Sequence, residues 1–194
     1  MAGEAPDRMI ASAVKLLAMH GFQATSFSSV LKDSGAPRGS IYYHFPEGKD
    51  QLIGAAIDLA GDRALAFTDS FTGLSAAEIV DAFVGLWRAV LLRSDFRAGC
   101  AVLAVTVSAD VPELVERAAA IFRSWRERLA AALEASGVEP ASARALAVTI
   151  IAACEGATVL CRAEHSLEPL EAVAGQLRVL AADPGKRHAE DLSS

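Results

Sequence analysis

The stretch SGAPRGSIYYHFPEGKDQL, from Ser34 to Leu52, decides how the rest of this sequence is interpreted. It holds both tyrosines of the chain, at adjacent positions, although only 6% of the 194 residues are aromatic. Pro37 and Pro46 limit the helix between them to about two turns, because proline suits a helix start and disfavours helix in the residue before it. The sequence therefore predicts a short helix that carries both tyrosines.

A second short helix is expected just before this stretch. Ser26 suits an N-cap and Gly35 suits a C-terminal stop, which predicts a helix over 27–34. Two short helices joined by a turn that contains glycine are typical of a helix-turn-helix unit. Longer helices are predicted on either side of the unit, over 6–20 and 49–69.

The second helix of the unit is expected to bury one side and to present the other. On a wheel of about 100° per residue, Ile41 and Phe45 fall together and face the core. The remaining surface carries groups suited to DNA, because guanidinium groups bind guanine edges, hydroxyls bind phosphates and a bare backbone allows close approach. Packing of half-buried tyrosines is the alternative. The candidate DNA contacts here are Pro37, Arg38, Gly39, Ser40, Tyr42, Tyr43 and His44, and Lys49 adds a cation at the start of the next helix.

Composition constrains the class of protein. The chain is 53% hydrophobic with a net charge of −6, and residues 1–53 contain five basic and five acidic side chains, which predicts modest non-specific affinity for DNA. The three cysteines lack metal-ligand spacing, so they are expected to act as small apolar residues in a reducing cytosol. Neither a metal nor another cofactor is predicted, and the N-terminus lacks a clear signal-peptide layout.

The remainder of the chain also has a helical pattern. We predict an all-α protein with further helices over 76–93, 99–108, 112–136, 141–163 and 167–181. The most apolar helix contains Glu155, which favours a buried helix over a membrane span. That carboxyl group is expected to pair with an arginine, cap a backbone group or meet a ligand. Three segments are predicted: a DNA-binding domain over 1–50, a larger helical domain over 51–182 and a flexible tail over 183–194.

The motifs GFQATS at 21–26, GSIYYHF at 39–45 and KDQL at 49–52 together resemble the N-terminal domain of TetR-family transcriptional repressors. The form SGAPRGSIYYHFPEGK, with RAGC at 97–100, is similar to the LmrA/YxaF-like branch. The resemblance implies a three-helix DNA-binding domain followed by a ligand-binding and dimerisation domain. It also adds Thr25 and Ser26 to the DNA contacts, with Thr25 at a phosphate.

The resemblance further implies a cytoplasmic, ligand-responsive repressor that binds a palindromic operator as a homodimer. A small hydrophobic or aromatic effector would release it. The implied ligand-binding side chains are Phe67, Phe71, Phe83, Trp87, Leu91, Cys100, Leu103, Val107, Phe122, Trp125 and Glu155. The implied interface side chains are Val148, Ile151, Cys154, Val159, Leu170 and Leu177. On residue grounds alone, ordinary core packing explains both sets.

Two other functions are considered. One is a DNA-binding regulator without a small-molecule effector, which the sequence does not separate from a ligand-responsive one. The other is an all-helical enzyme, but no catalytic residues are predicted, since the histidines are scattered and no nucleophile, phosphate-binding or metalloprotease motif is present.

Overall fold

The computed structural model describes residues 5–182, and that range folds into nine α-helices without a β-strand. The helices are α1 (Ala5–Ala24), α2 (Phe27–Ser34), α3 (Arg38–His44), α4 (Lys49–Asp69), α5 (Ala76–Arg93), α6 (Ala101–Ser108), α7 (Pro112–Ala135), α8 (Pro140–Glu164) and α9 (Glu168–Ala182). The all-α prediction is confirmed, and α2, α4 and α5 have the predicted bounds. The predicted tail over 183–194 lies outside the described residues.

The first helix is interrupted where the sequence predicts its end. Gly21 has φ 79° and ψ 179°, a non-helical conformation that glycine adopts without a steric penalty. A short helical segment to Ala24 follows the interruption. This break turns the chain toward α2 and places Phe22 in the core, with 7% of its surface exposed.

The described chain divides into two compact units, each assembled from two stretches of sequence. The first unit contains the residues up to Ala64 together with Ala98–Arg123. Within it, α6 packs on α1, and the backbone amide of Gly99 donates to the carbonyl oxygen of Ala18 over 2.8 Å. The division differs from the predicted boundary at residue 50, because α4 is one continuous helix and α6 joins the N-terminal helices. Residue 50 as a functional boundary stays a prediction.

In the first unit α4 also lies close to the first part of α7. A Cβ atom added at Gly54 would lie 2.6 Å from Nη1 of Arg117, and one added at Gly61 would lie 3.1 Å from Cγ2 of Ile121. Asp58, between the two glycines, accepts a hydrogen bond from Nη1 of Arg117 over 3.1 Å. Glycine thus allows side chains of α7 to pack directly against the backbone of α4.

The second unit contains Leu65–Arg97 and the described residues from Ser124 onward. Its centre is formed by α5, α8 and α9, which pack on one another through buried aliphatic side chains. Arg88 of α5 binds Glu171 of α9 in a bidentate pair, with Nε–Oε1 2.8 Å and Nη2–Oε2 3.0 Å. Nε of Arg178 on α9 donates to Asp81 of α5 over 2.6 Å. These exposed pairs connect α9 to α5 at two positions along the helices.

Candidate nucleic-acid interface

Helix α2 is fixed at both ends by local contacts. Ser26 is the N-cap: its hydroxyl accepts from the amide of Ser29, and the Ser29 hydroxyl accepts from the amide of Ser26 over 2.8 Å. This reciprocal pair satisfies two amides that a helix start would otherwise leave unpaired. Gly35 ends the helix in the left-handed conformation, with φ 65°. Both capping predictions are confirmed, whereas the role of Ser29 was not predicted.

Helix α3 buries one side and exposes the other, as the wheel predicts. Ile41 and Phe45 are 0% and 4% exposed and lie in the core of the first unit. Pro37 precedes the helix in an extended conformation, with φ −62° and ψ 138°. The Ser40 hydroxyl donates to the Pro37 carbonyl oxygen over 2.7 Å, which leaves its lone pairs available to accept.

The outward surface of α3 is aromatic and polar. Tyr42 and Tyr43 are 68% and 81% exposed, and Pro37, Arg38 and Gly39 are also exposed. The exposure of apolar ring surface to water is unfavourable, so the presence of two such rings on one short helix favours a partner surface. Of the predicted DNA contacts on α3, Arg38, Gly39, Tyr42 and Tyr43 are thus exposed, whereas Ser40 and His44 are half-buried.

The two tyrosine rings are held by neighbouring rings. Tyr42 packs edge-to-face on Phe27 of α2, with ring centroids 5.6 Å apart, and Tyr43 packs edge-to-face on His44, with centroids 5.0 Å apart. Such contacts restrict the rotamers of both tyrosines before any partner binds. The hydroxyl ends therefore project from rings whose orientation is already limited, which lowers the entropy cost of binding.

A small polar network attaches α2 to α1. The Asp33 carboxylate accepts from the Ser12 hydroxyl over 2.8 Å and from the Lys15 ammonium group over 2.6 Å. The hydrogen bond from Lys15 lowers the pKa of the Asp33 carboxyl group; partial burial opposes this shift and the bond from Ser12 adds to it. Sequence reasoning missed this network, because it joins residues 18 and 21 positions apart on different helices.

Two residues predicted to contact DNA have other partners. Thr25 is 1% exposed, and its hydroxyl donates to the Gly21 carbonyl oxygen over 2.9 Å. A buried hydroxyl with an internal acceptor is not available to a phosphate, so Thr25 is withdrawn from the predicted contacts. The Lys49 ammonium group donates to the Phe22 carbonyl oxygen over 2.9 Å and lies 4.1 Å from the Phe22 ring centroid. Desolvation lowers the pKa of Lys49, although the charge of Asp50 opposes this shift.

The predicted ligand-binding side chains are divided between the two units. In the second unit Phe71, Trp87 and Leu91 are buried, and the Phe67 and Phe71 rings pack edge-to-face at 5.0 Å. In the first unit Val107 is 70% exposed, so it cannot line an enclosed cavity and is withdrawn. The remaining aromatic, aliphatic and thiol candidates are half-buried: Phe83, Cys100, Leu103, Phe122 and Trp125.

Two clefts of the second unit differ from the predicted ligand site. One, of about 200 Å³, lies between the end of α4 and α7 and includes Phe71 beside the ion pair of Arg128 with Asp69. The other, of about 420 Å³, lies between α7 and α8 and is lined largely by charged side chains, with Val148 at its edge. Of the predicted ligand-binding side chains, neither cleft includes any besides Phe71.

The predicted interface residues also separate by burial. Val148 and Val159 on α8 are 45% and 53% exposed. The other four are at most 7% exposed, within the core of their own unit: Ile151, Cys154, Leu170 and Leu177. A side chain that is already buried has no surface to lose on association, so these four are withdrawn from the interface prediction.

The buried acid of α8 lies beside an inert thiol. Glu155 is 9% exposed. Burial, with a smaller contribution from the Glu155 charge, raises the pKa of Cys154 to about 12. The thiol therefore stays protonated at neutral pH, in agreement with its expected role as a small apolar residue.

Within residues 5–182, the apolarity of α8 and the placement of metal-ligating side chains bear on two other kinds of site. One helix, Pro140–Glu164, is long and apolar enough to cross a membrane, but half of its most apolar window is buried, as in the core helix of a globular protein. No cluster of three or more histidine, cysteine, aspartate or glutamate side chains in this range could hold a metal ion.

Known proteins match the chain along most of its length. The family model described as "Transcriptional regulator LmrA/YxaF-like, C-terminal domain" matches residues 76–176, and that of bacterial regulatory proteins of the tetR family matches residues 9–56. An uncharacterised HTH-type transcriptional regulator of Mycobacterium tuberculosis (strain H37Rv) is 40% identical over 181 residues, covering 90% of this chain and 92% of the relative. YxaF of Bacillus subtilis, another uncharacterised HTH-type transcriptional regulator, is 26% identical over 187 residues, covering 94% and 98%.

Solved structures show the same fold. The crystal structure of a TetR transcriptional regulator from Legionella pneumophila has a TM-score of 0.78 at 27% identity, covering 88% of this chain and 93% of that one. One from Chloroflexus aurantiacus has a TM-score of 0.75 at 28% identity, covering 93% and 96%. These relatives are transcriptional regulators, which confirms the prediction of a DNA-binding regulator over that of an enzyme. The chain belongs to the TetR family of bacterial transcriptional regulators, in the branch with an LmrA/YxaF-like C-terminal domain.

Proposed function

We propose that this regulator is a ligand-responsive repressor, which binds a palindromic operator as a homodimer and is released by a small hydrophobic or aromatic effector. The observation that carries the proposal is the outward surface of α3, where exposed aromatic and cationic groups stand on a helix whose other side is buried. Because DNA is its target, we place the protein in the cytoplasm.

In this proposal α3 enters the major groove with its N-terminal end first. Arg38, exposed in the first turn, donates to O6 and N7 of a guanine, the commonest specific contact of arginine. Gly39 is exposed and carries no Cβ, so the backbone of α3 can approach the DNA closely at this position. A Cβ added there would meet no atom of the protein within 4 Å. Tyr43 donates its hydroxyl to a phosphate oxygen, which fixes the register of the helix.

Dimerisation is supported by the exposed side of α8. Ala152, Gly156 and Ala163 are exposed on the same helical face as Val148 and Val159, at spacings of three or four residues. A face of small and aliphatic side chains permits close approach of a second helix. One helix-turn-helix contacts only a few base pairs. A homodimer that forms through this face would supply two helix-turn-helix motifs related by two-fold symmetry, which would require a palindromic site.

An effector is supported by one buried polar atom of the second unit. Trp87 is 8% exposed, and among the described residues its Nε1–H group has no hydrogen-bond acceptor. An unsatisfied buried donor costs about 1–3 kcal/mol. An aromatic effector with an oxygen acceptor would satisfy this group and bury its own rings against aromatic side chains.

The test of DNA recognition is selection of bound duplexes from a random pool. We expect a palindrome whose half-sites lie about one helical turn, or 34–36 Å, apart. Arg38→Ala should lose this enrichment, whereas the matched control Arg63→Ala, which removes an exposed arginine from α4, should retain it. Enrichment of the same palindrome by Arg38→Ala would contradict reading by α3.

The effector is tested separately, with the selected duplex. Uncharged aromatic compounds with and without an oxygen acceptor are screened by thermal shift, and those that bind are tested for release of the duplex. A coupling of about 1–3 kcal/mol lowers operator affinity by about 5–150-fold. A regulator that binds the palindrome but releases it with no compound of the panel would favour the alternative function without an effector.

A further inference from the structure

The N-terminus of α4 is tied to the corner between α1 and α2 by one side chain. Lys49 is the first residue of α4, and its ammonium group donates to the Phe22 carbonyl oxygen over 2.9 Å. The same group lies 4.1 Å from the centroid of the Phe22 ring, within the range of a cation–π contact. One residue of the corner therefore holds Lys49 through both its backbone and its ring.

The corner that Lys49 contacts sets where α2 begins. The Phe22 carbonyl oxygen also accepts from the Thr25 amide over 3.3 Å, and the Gly21 carbonyl oxygen accepts from the Thr25 hydroxyl. Thr25 directly precedes the N-cap of α2, Ser26. Any displacement of Lys49 would therefore disturb the residues that start the helix-turn-helix unit.

The corner is buried, which makes the contact costly to break. Phe22 and Thr25 are 7% and 1% exposed, and the bond from Lys49 to the Phe22 carbonyl oxygen is partly buried. If Lys49 turned toward a phosphate, it would give up both the carbonyl and the ring. Among residues 5–182, the Phe22 carbonyl oxygen would then keep the 3.3 Å bond from the Thr25 amide as its remaining hydrogen bond.

The rest of α4 in this unit is held by α7. Gly54 and Gly61 bring the backbone of α4 close to Arg117 and Ile121, and Asp58 pairs with Arg117. A helix held against α7 at these positions and joined at its first residue to the α1–α2 corner transmits its position to that corner. Lys49 is the side chain that connects α4 to this corner.

We infer that Lys49 is a positioning residue that aligns the helix-turn-helix unit on α4, and that it acts on operator recognition through Phe22 instead of through a phosphate. The inference rests on the proposed reading of the operator by α3. Removing Lys49 should tilt the unit and lose a base contact on α3, while the phosphate contacts of non-specific binding remain. Specific and non-specific affinity should therefore respond differently.

The experiment compares Lys49→Met with Lys32→Met, which removes the same charge from an exposed position on α2. Each variant is first checked for folding by circular dichroism. Affinity is then measured at several salt concentrations, for the duplex that the wild type selects and for a scrambled duplex. We expect Lys49→Met to bind the selected duplex about 5–150-fold more weakly, the effect of losing one good base contact. Its affinity for the scrambled duplex and its salt slope should stay within experimental error of the wild type.

Phe22→Leu supplies a second test that removes no charge. It takes away the ring under Lys49, so it should lower affinity for the selected duplex and leave the scrambled duplex and the salt slope unchanged. It decides the question by itself if Lys49→Met does not fold. Lys32→Met should keep the wild-type ratio of the two affinities.

Several outcomes would overturn the inference. A salt slope that falls by about one in Lys49→Met, with both duplexes weakened alike, would identify a phosphate contact. A folded Lys49→Met that binds both duplexes like the wild type would identify a role in stability alone. A wild-type protein without sequence preference would instead refute the proposed function itself, which keeps the two failures distinguishable.

Discussion

The contact of α4 with α7 can be tested at Gly61. The substitution is Gly61→Ala, with Gly85→Ala as its matched control in the interior of α5. A Cβ at Gly61 would lie 3.1 Å and 3.3 Å from Cγ2 and Cγ1 of Ile121, whereas a Cβ at Gly85 would meet no atom within 4 Å. Both substitutions have the same effect on intrinsic helix propensity, so their difference isolates the crowding against α7.

The expected magnitudes follow from these distances. Alanine in place of glycine in a helix interior stabilises by about 1 kcal/mol, which Gly85→Ala should gain in full. Carbon atoms normally approach to about 3.5–4.0 Å, so Gly61→Ala forces Ile121 to move, and overpacking of this kind costs about 1–3 kcal/mol. The net change for Gly61→Ala is then a loss of about 0–2 kcal/mol. Since 1 kcal/mol shifts the Tm of a chain this size by about 2–4 °C, Gly85→Ala should raise the Tm, whereas Gly61→Ala should lower it or leave it unchanged.

The assay is thermal unfolding of a double-mutant cycle at one fixed protein concentration, because the proposed dimerisation would make Tm concentration-dependent. Ile121→Ala removes the crowding atoms, so Gly61→Ala in that background should stabilise about as much as Gly85→Ala does. The coupling free energy between the two sites should reach about 1–3 kcal/mol. A coupling within about 0.5 kcal/mol of zero, or a Gly61→Ala variant stabilised like Gly85→Ala, would refute the close α4–α7 contact.

Three further predictions concern the interface, the dimer and pH. Arg38→Ala should weaken operator binding by about 5–150-fold and Tyr43→Phe by a few-fold, without a change in Tm, as measured by fluorescence anisotropy at fixed salt; unchanged affinities would remove both from the contact surface. Val159→Arg should give monomers in analytical ultracentrifugation, whereas Leu92→Arg, at 55% exposure on α5, should remain dimeric; a dimeric Val159→Arg would exclude that face. Because the Asp33 pKa lies below its ordinary value of 3.8, its ion pair stabilises above that pH and loses its effect as pH falls through the lowered pKa. Asp33→Asn should thus cost about 0.5–1 kcal/mol in urea unfolding at pH 7 and progressively less below pH 3.8, and a pH-independent cost would exclude the ion pair.

The parts of the fold that local chemistry determines could be predicted from the sequence. Ser26 and Gly35 mark the ends of α2 because capping depends on residues within one turn. The buried side of α3 follows from the spacing of Ile41 and Phe45 alone. What a residue can bind, however, differs from what it does bind. Lys49 has the charge for a phosphate, but a carbonyl oxygen 27 residues earlier lies within its reach, and no local pattern shows this.

The interface and ligand predictions were limited for a related reason. Helix α8 is apolar around most of its circumference, so periodicity identifies stripes without showing which stripe packs inside the chain. Only packing separates the buried Ile151 and Cys154 from the exposed Val148 and Val159. Likewise, the sequence does not distinguish an aromatic or aliphatic side chain in a filled core from one at a cavity wall or on the surface.

The distribution of charge in the N-terminal residues explains why alignment should matter more than attraction. Residues 1–53 have five basic and five acidic side chains. Two of the five cations form contacts within this segment: Lys15 with the Asp33 carboxylate, and Lys49 with the Phe22 carbonyl oxygen and ring. Of the other three, Arg38 is proposed to bind a guanine, so at most two cations of residues 1–53 remain for phosphates, which limits their contribution to the salt slope to about two. Because the sequence-independent attraction to DNA phosphates is small, discrimination between DNA sequences depends on the position in which α3 is held. A substitution that tilts α3 should therefore lower the affinity for the operator without lowering the affinity for other sequences. In a strongly basic DNA-binding domain, phosphate contacts that form on any sequence would offset much of that loss.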